Sequence, residues 1–183
     1  IKPRNVSDHH ILYDTVRGVR KQLYSNLTNA EETETQGLSA FTSDGFTLGG
    51  NHTVRGATNE SGETYISWNW DAGSSTVSNT DGSQTTSVRA NPTAGFSIVK
   101  GANMTSSQKT FGHGLSAAPE MIWGKRLGAS EEWNVYHKDL TSNKMLTLNS
   151  TGAEKNSNFV GTPTNSVFTY YPNADSYIFY CFA

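Results

Sequence analysis

The chain has 183 residues, enough for one large or two small domains. Hydrophobic residues make up 34%, charged residues 16%, and the formal net charge is −2, with Ser, Thr, Asn and Gly filling the balance. This excludes a basic stripe for nucleic acid and a polybasic run for an anionic membrane. No apolar run reaches the ~18 residues of a membrane span.

Aromatic residues at 11% supply apolar area for a core, so the chain reads as folded. Many short segments rich in β-branched and aromatic residues, separated by turn residues every ~8 to 12 positions, predict an all-β fold. An antiparallel β-sandwich suits this pattern best. No segment holds a helical period over ten residues.

In chain order, the opening Ile1–Asn5 lacks the apolar core of a signal peptide. Residues 8–14 read as a strand, 15–20 as a polar turn, and 21–26 as a second strand. A short helical turn fits Asn29–Glu32, although β-branched Thr interrupts it. Leu38–Phe41 and Gly45–Leu48 predict a hairpin across Ser43-Asp44-Gly45. A polar loop over 49–59 precedes the aromatic strand Thr64–Trp70, in which Ile66, Trp68 and Trp70 share one face by period two.

Residues 74–91 are dominated by Ser, Thr, Gly, Asn and Asp, and read as a linker. Strands follow at 95–99, 119–125, 132–137 and 144–149. Val167–Tyr171 and Ser176–Ala183 predict a closing hairpin across Pro172–Asp175. The final strand is apolar on both faces and so belongs between two layers. Cys181 lies within it and has no partner for an internal disulfide, which makes it a small buried hydrophobe.

Two stretches repeat in order. Lys144–Glu154 matches Lys21–Glu31 in its Lys, Leu, Asn, Thr, Ala and Glu. Tyr13 matches Tyr136, Lys2 matches Lys125, Gly45–Leu48 matches Val167–Tyr170, and Thr64–Trp70 matches Ser176–Phe182. These matches predict a tandem duplication with a period of roughly 110 to 120 residues, longer than solenoid repeats. Residues 1–73 would be the C-terminal portion of a first β repeat, and 92–183 a second β-sandwich repeat. The first copy lacks a counterpart of residues 94–122, which predicts a piece of a longer polypeptide.

Seven blocks, taken together, resemble a domain of marine phage (cyanophage-like) tail-fibre and receptor-binding proteins. They are 7–18, 43–49, 62–73, Ala94–Val99, Gly112–Leu115, Trp133–His137 and Tyr180–Ala183. The resemblance implies a lectin-like jelly-roll, a virion and extracellular location, and a role in host adhesion. It also implies as partners identical chains in a homotrimer, other tail or virion proteins, and a host surface glycan. The loop Lys100–Ser107 and a shortened hairpin before Ser176 depart from the family pattern. The family supplies no catalytic residues.

The residues themselves set the candidate chemistry. Flat aromatic faces stack on sugar C–H faces, and short polar side chains fix hydroxyls. Trp68, Trp70, Trp123, Trp133, Tyr136 and His137 are the aromatic candidates, and each also reads as core. Trp123, Trp133, Tyr136 and His137 are taken as the ligand-binding set, Trp123 and Trp133 lying near the turn 128–130. His9, His10, Asp14, His137 and Asp139 are ligand types for a metal, but adjacent His9 and His10 point to opposite faces. No metal site or cofactor is expected. No nucleophile motif and no spaced carboxylate pair appears, so no enzyme is expected. Sequons such as Asn26, Asn51 and Asn149 are as frequent as composition gives. The alternative to recognition is a purely structural virion component: a fibre shaft, a spacer or a capsid decoration.

Overall fold

The computed structural model describes residues 1–50 and 58–183. The first region holds β1 (Lys2–Pro3), β2 (Ile11–Leu12), β3 (Lys21–Tyr24), β4 (Glu32–Thr33), β5 (Leu38–Phe41), β6 (Phe46–Leu48) and β7 (Tyr65–Ile66). The second holds β8 (Thr76–Asn79), β9 (Thr86–Asn91), β10 (Phe96–Gly101), β11 (Lys109–Gly112) and β12 (Met121–Arg126). It continues with β13 (Asn134–His137), β14 (Lys144–Thr147), β15 (Lys155–Asn156), β16 (Val167–Tyr170) and β17 (Tyr177–Phe182). Among the described residues every strand ladder is antiparallel, a single isolated parallel bridge joins Gln84 to Phe111, and no helix forms. The sequon at Asn51 and most of the loop 49–59 lie outside the described residues.

An eight-stranded sheet runs β15-β14-β13-β12-β17-β10-β9-β8. Its centre is β17, paired with β10 on one side and β12 on the other. The sequence explains that position, since Tyr-Ile-Phe-Tyr-Cys-Phe is apolar on both faces and all but the last residue are buried. On one face Tyr177, Phe179 and Cys181 pack with Val99 and Ile122 under the pair β11-β16, which adds Phe111, Phe168 and Tyr170. Gly124 stands opposite Phe179, and a Cβ there would come within 2.9 Å of its ring. On the other face Phe96, Ile98, Ile178 and Tyr180 pack with Trp133 and with Leu23 of β3. Each fully buried ring contributes about 2–3 kcal/mol.

Several expectations change. The strands expected over 8–14 and Thr64–Trp70 form only at Ile11–Leu12 and Tyr65–Ile66, where β3 and β1 supply partners for two residues each. The closing hairpin does not form, because β16 pairs with β11 while β17 takes the sheet centre, where both its faces are covered. The polar stretch 74–91 carries β8 and β9, which extend the sheet from β10, since Thr86 and Val88 turn inward among the Ser and Thr. No helical turn forms at 29–32; Glu32 joins β4 and pairs with Gln22. The hairpin β5-β6 forms where expected.

In the first region β2, β3 and β4 form one sheet, while β1-β7 and β5-β6 are separate pairs. Its registers recur in the second region. A shift of 123 carries the pair Ile11↔Tyr24 onto Asn134↔Thr147, and Gln22↔Glu32 onto Met145↔Lys155. Turn details follow the same shift. Asn26 accepts from the N–H of His10 at 2.9 Å, and Asn149 from that of Trp133 at 3.0 Å. Arg20 and Asn143 both hold a positive φ, 63° and 59°. Lys2↔Ile66 corresponds to Lys125↔Ile178, the later strand being shifted by 112 because its preceding loop is shorter.

One buried charge cluster joins the regions. Arg17 pairs with Asp14, and its guanidinium donates to the Tyr180 hydroxyl at 3.4 Å. Tyr180 donates in turn to Asp14 at 2.7 Å. Burial opposes the Arg17 charge, but the Asp14 carboxylate more than offsets it and holds the guanidinium charged.

Candidate functional site

The C-terminal end of β17 builds an aromatic platform. Cross-strand pairing sets Asn91, Phe96, Phe182, Met121 and His137 in one row across β9, β10, β17, β12 and β13. Two residues along, the next row on the same face sets Trp123 beside Tyr180. Side chains in register share a face, so Phe96, Phe182 and Trp123 form a continuous apolar surface, with centroids 5.0 to 5.1 Å between neighbours.

Trp70 lies across this surface, 6.2 Å from Phe96 and from Phe182, and edge-on to Trp123 at 6.4 Å. It still exposes 53% of its surface, and Trp68 exposes 59%. Indole rings so exposed on a folded domain are uncommon, since Trp is highly buried on average.

Beside Trp70 the chain turns through Asp71 into an open polar groove of about 660 Å³. Its walls include Thr42, Ser43, Asp71, Ser75, Arg89 and Asn91. The polar groups are held in place. Asp71 accepts from the N–H of Gly73 at 2.7 Å and from the Asn91 amide at 2.9 Å. Arg89 Nε donates to the Gly73 carbonyl at 2.8 Å. Gly73 takes φ +83°, and a Cβ there would meet the Ala90 carbonyl at 2.5 Å, so the close approach needs glycine. Asp71, Asn91 and Arg89 keep further lone pairs and N–H groups for a ligand. The arrangement offers ring faces and, next to them, a fixed carboxylate, amide and guanidinium.

The four residues chosen from the sequence do not gather. Trp123 lies in the platform. His137 ends the row beyond Met121, half-exposed, with Nδ1 3.7 Å from the Asp139 carboxylate. Trp133 shares the face but is 0% exposed, and its indole donates to the Tyr24 carbonyl at 2.8 Å, so it offers no free ring face. Tyr136 points to the opposite face and packs on Phe159 at 5.9 Å. Among the described residues no group of three His, Cys, Asp or Glu side chains gathers as a metal site.

Sequence reasoning passed over Asp71, Arg89, Asn91, Phe96 and Phe182. The signal for Asp71 was the run Trp-Asp-Ala-Gly, an aromatic followed by an Asx turn. The others depend on the β9-β10-β17 register, which no local pattern carries. The loop Lys100–Ser107 lies at the other end of β17, where Gly101 pairs with Tyr177. Met104 anchors it in the core, its N–H donating to the Asp175 carbonyl at 2.9 Å.

Fold and site together define an all-β domain of antiparallel sheets with an exposed aromatic platform at one sheet end. The chain belongs to the family described as "Domain of unknown function (DUF7483)", whose model matches residues 1–183. No curated protein and no solved structure matches it.

Proposed function

We propose that this chain is a tail-fibre segment of a phage that takes part in host surface recognition by binding a glycan at the Trp70 platform. The observation that carries the reading is an exposed indole, Trp70, poised over Trp123, Phe96 and Phe182 at the rim of a groove bearing Asp71, Arg89 and Asn91. Sugar C–H faces stack on such rings, while carboxylate and amide groups select hydroxyl positions. The seven blocks that resemble tail-fibre proteins supply the host and virion setting, and with it identical chains and other virion proteins as partners. Weak single sites would sum over the chains of one fibre.

Within this reading the fold is a lectin-like jelly-roll sandwich, and residues 1–73 are a shortened copy of the unit completed by 92–183. The shared registers at a shift of 123 support the duplication, and the covering of β17 on both faces supports the sandwich. A glycan array probed with the labelled chain, followed by titration of hits against Trp70→Ala, tests the function. Trp70→Ala should weaken binding about two- to tenfold, since ring stacking contributes about 0.5–1.5 kcal/mol. No hit on the array, or equal binding by the variant, would replace recognition with a purely structural role in the virion.

A further inference from the structure

We propose that the molecule binds a second copy of itself head to tail, the Ile66–Trp68 face of one seated on the Leu140–Leu146 face of the next. The inference rests on the reading of residues 1–73 as a shortened copy of the second unit.

The template is a contact already made within the chain. The outer face of β17, at Ile178 and Tyr180, is covered by the first region. Leu23 joins the same apolar cluster, with Leu12 and Val16 packed against it. Arg17 reaches the Tyr180 hydroxyl. The covered pair is thus Ile178 and Tyr180, and the covering pair is Leu23 and Arg17.

Both pairs have counterparts. The shift of 112 carries Ile66 onto Ile178, following the register Lys2↔Ile66 and Lys125↔Ile178, and by sequence alone, two residues on and past the end of β7, Trp68 onto Tyr180. The shift of 123 carries Leu23 onto Leu146 and Arg17 onto Leu140, following Leu12↔Leu23 and Val135↔Leu146. All four counterparts are open. Ile66 is 40% exposed, Trp68 59% and Leu146 36%, and Leu140 is half-exposed.

One interface is therefore closed inside the chain, and the two surfaces that would form it again stand bare. Each is what the other lacks. The exchange of chemistry is coherent: where Arg17 meets the Tyr180 phenol, Leu140 would meet the Trp68 indole, an apolar contact in place of a polar one. Because the two surfaces differ, the contact is heterologous. It closes into a ring if the rotation allows, as in a trimer, or continues as a filament. Ile66 and Trp68 are the large apolar exposures that such a contact would remove from water.

Sedimentation velocity of the full chain over a concentration series tests this, with Trp68→Lys and Leu146→Lys. Both sites are exposed, so folding is retained, and near-UV circular dichroism checks it. The wild-type mass should rise with concentration, and each variant alone should stay monomeric. An equimolar mixture should form a heterodimer and nothing larger, because each variant keeps the surface the other has lost. A monomeric wild type, a mixture that stays monomeric, or Leu146→Lys associating like the wild type would overturn the proposal. Glycan binding by the Leu146→Lys variant, read on the array, keeps failure of self-association apart from failure of recognition.

Discussion

Behind β13 and β14 the packing is mostly aromatic, with one buried hydrogen bond from the Asn134 amide to the Tyr170 hydroxyl, whereas behind β2 and β3 a chain of hydrogen bonds runs beside the apolar Ile11. In the second region Tyr136 leans on Phe159, which joins Phe168, Tyr170 and Phe179 in one aromatic cluster. In the first, Tyr13 donates to Gln22 at 3.0 Å, Gln22 donates to the Tyr24 hydroxyl at 2.7 Å, and Tyr24 donates to Glu32 at 3.0 Å. Burial, then the Glu32 carboxylate, pushes the Tyr24 phenol well above its ordinary range. Strand register is nevertheless the same at a shift of 123. Register here follows from strand pairing and from turn groups such as Asn26 and Asn149, while the filling behind the strands is free to change.

The sharpest way to break the comparison is at β17 and β7. Phe179 is fully buried among Phe111, Phe168 and Tyr170. Phe179→Ala should cost about 3–5 kcal/mol in urea unfolding, through lost transfer energy and the cavity left behind. Ser67, at the matching position after β7, should tolerate Ala with a change below about 0.5 kcal/mol. Similar costs for the two variants would mean that the regions do not differ in how they are held.

Those two positions also show what was legible beforehand. The aromatic run Tyr177–Phe182 announced a strand buried on both faces, and Leu38–Leu48 announced its hairpin through Asp44-Gly45. The β8-β9 arm was hidden because its Ser and Thr residues read as linker, and only Thr86 and Val88 turn inward. Of the platform, Trp70 and Trp123 were visible as aromatic candidates, only Trp123 entering the chosen set, and Asp71 and Asn91 were not, since what joins them is long-range pairing. Trp133 looked like a rim residue beside the turn 128–130, and is instead held under the first region by its bond to Tyr24.

A milder test converts one filling toward the other. Gln22 is buried, and Met145 stands at the matching position. Gln22→Met keeps the volume but leaves the Tyr13 hydroxyl without its acceptor. The expected loss is about 1–3 kcal/mol, read by urea unfolding, with the strand content intact by far-UV circular dichroism. A loss near zero would mean that the network is incidental to the first region.

The smallest effect separates the two matching lysines. Lys2 and Lys125 each donate to the carbonyl of the following residue, at 2.9 and 2.8 Å, but Lys125 is 1% exposed and Lys2 is half-exposed. Burial pushes the Lys125 amine down to about 8 from its ordinary 10.5, partly countered by Glu131. Between those values the unfolded chain holds the proton and the folded chain has released it, so stability from this group rises with pH. Below the window both states are charged, and burial of the charge costs most. Other groups titrate in the same range, so the informative quantity is wild type minus Lys125→Met. That difference should grow by about 1–2 kcal/mol across the window: the full shift at about 1.4 kcal/mol per unit would give about 3 kcal/mol, and relaxation of the fold around the buried charge takes part of it. Unfolding measured at intervals through the window reads it directly. A constant difference would show that the Lys125 amine stays protonated in the fold, and its carbonyl partners would then be holding a charge at no net cost.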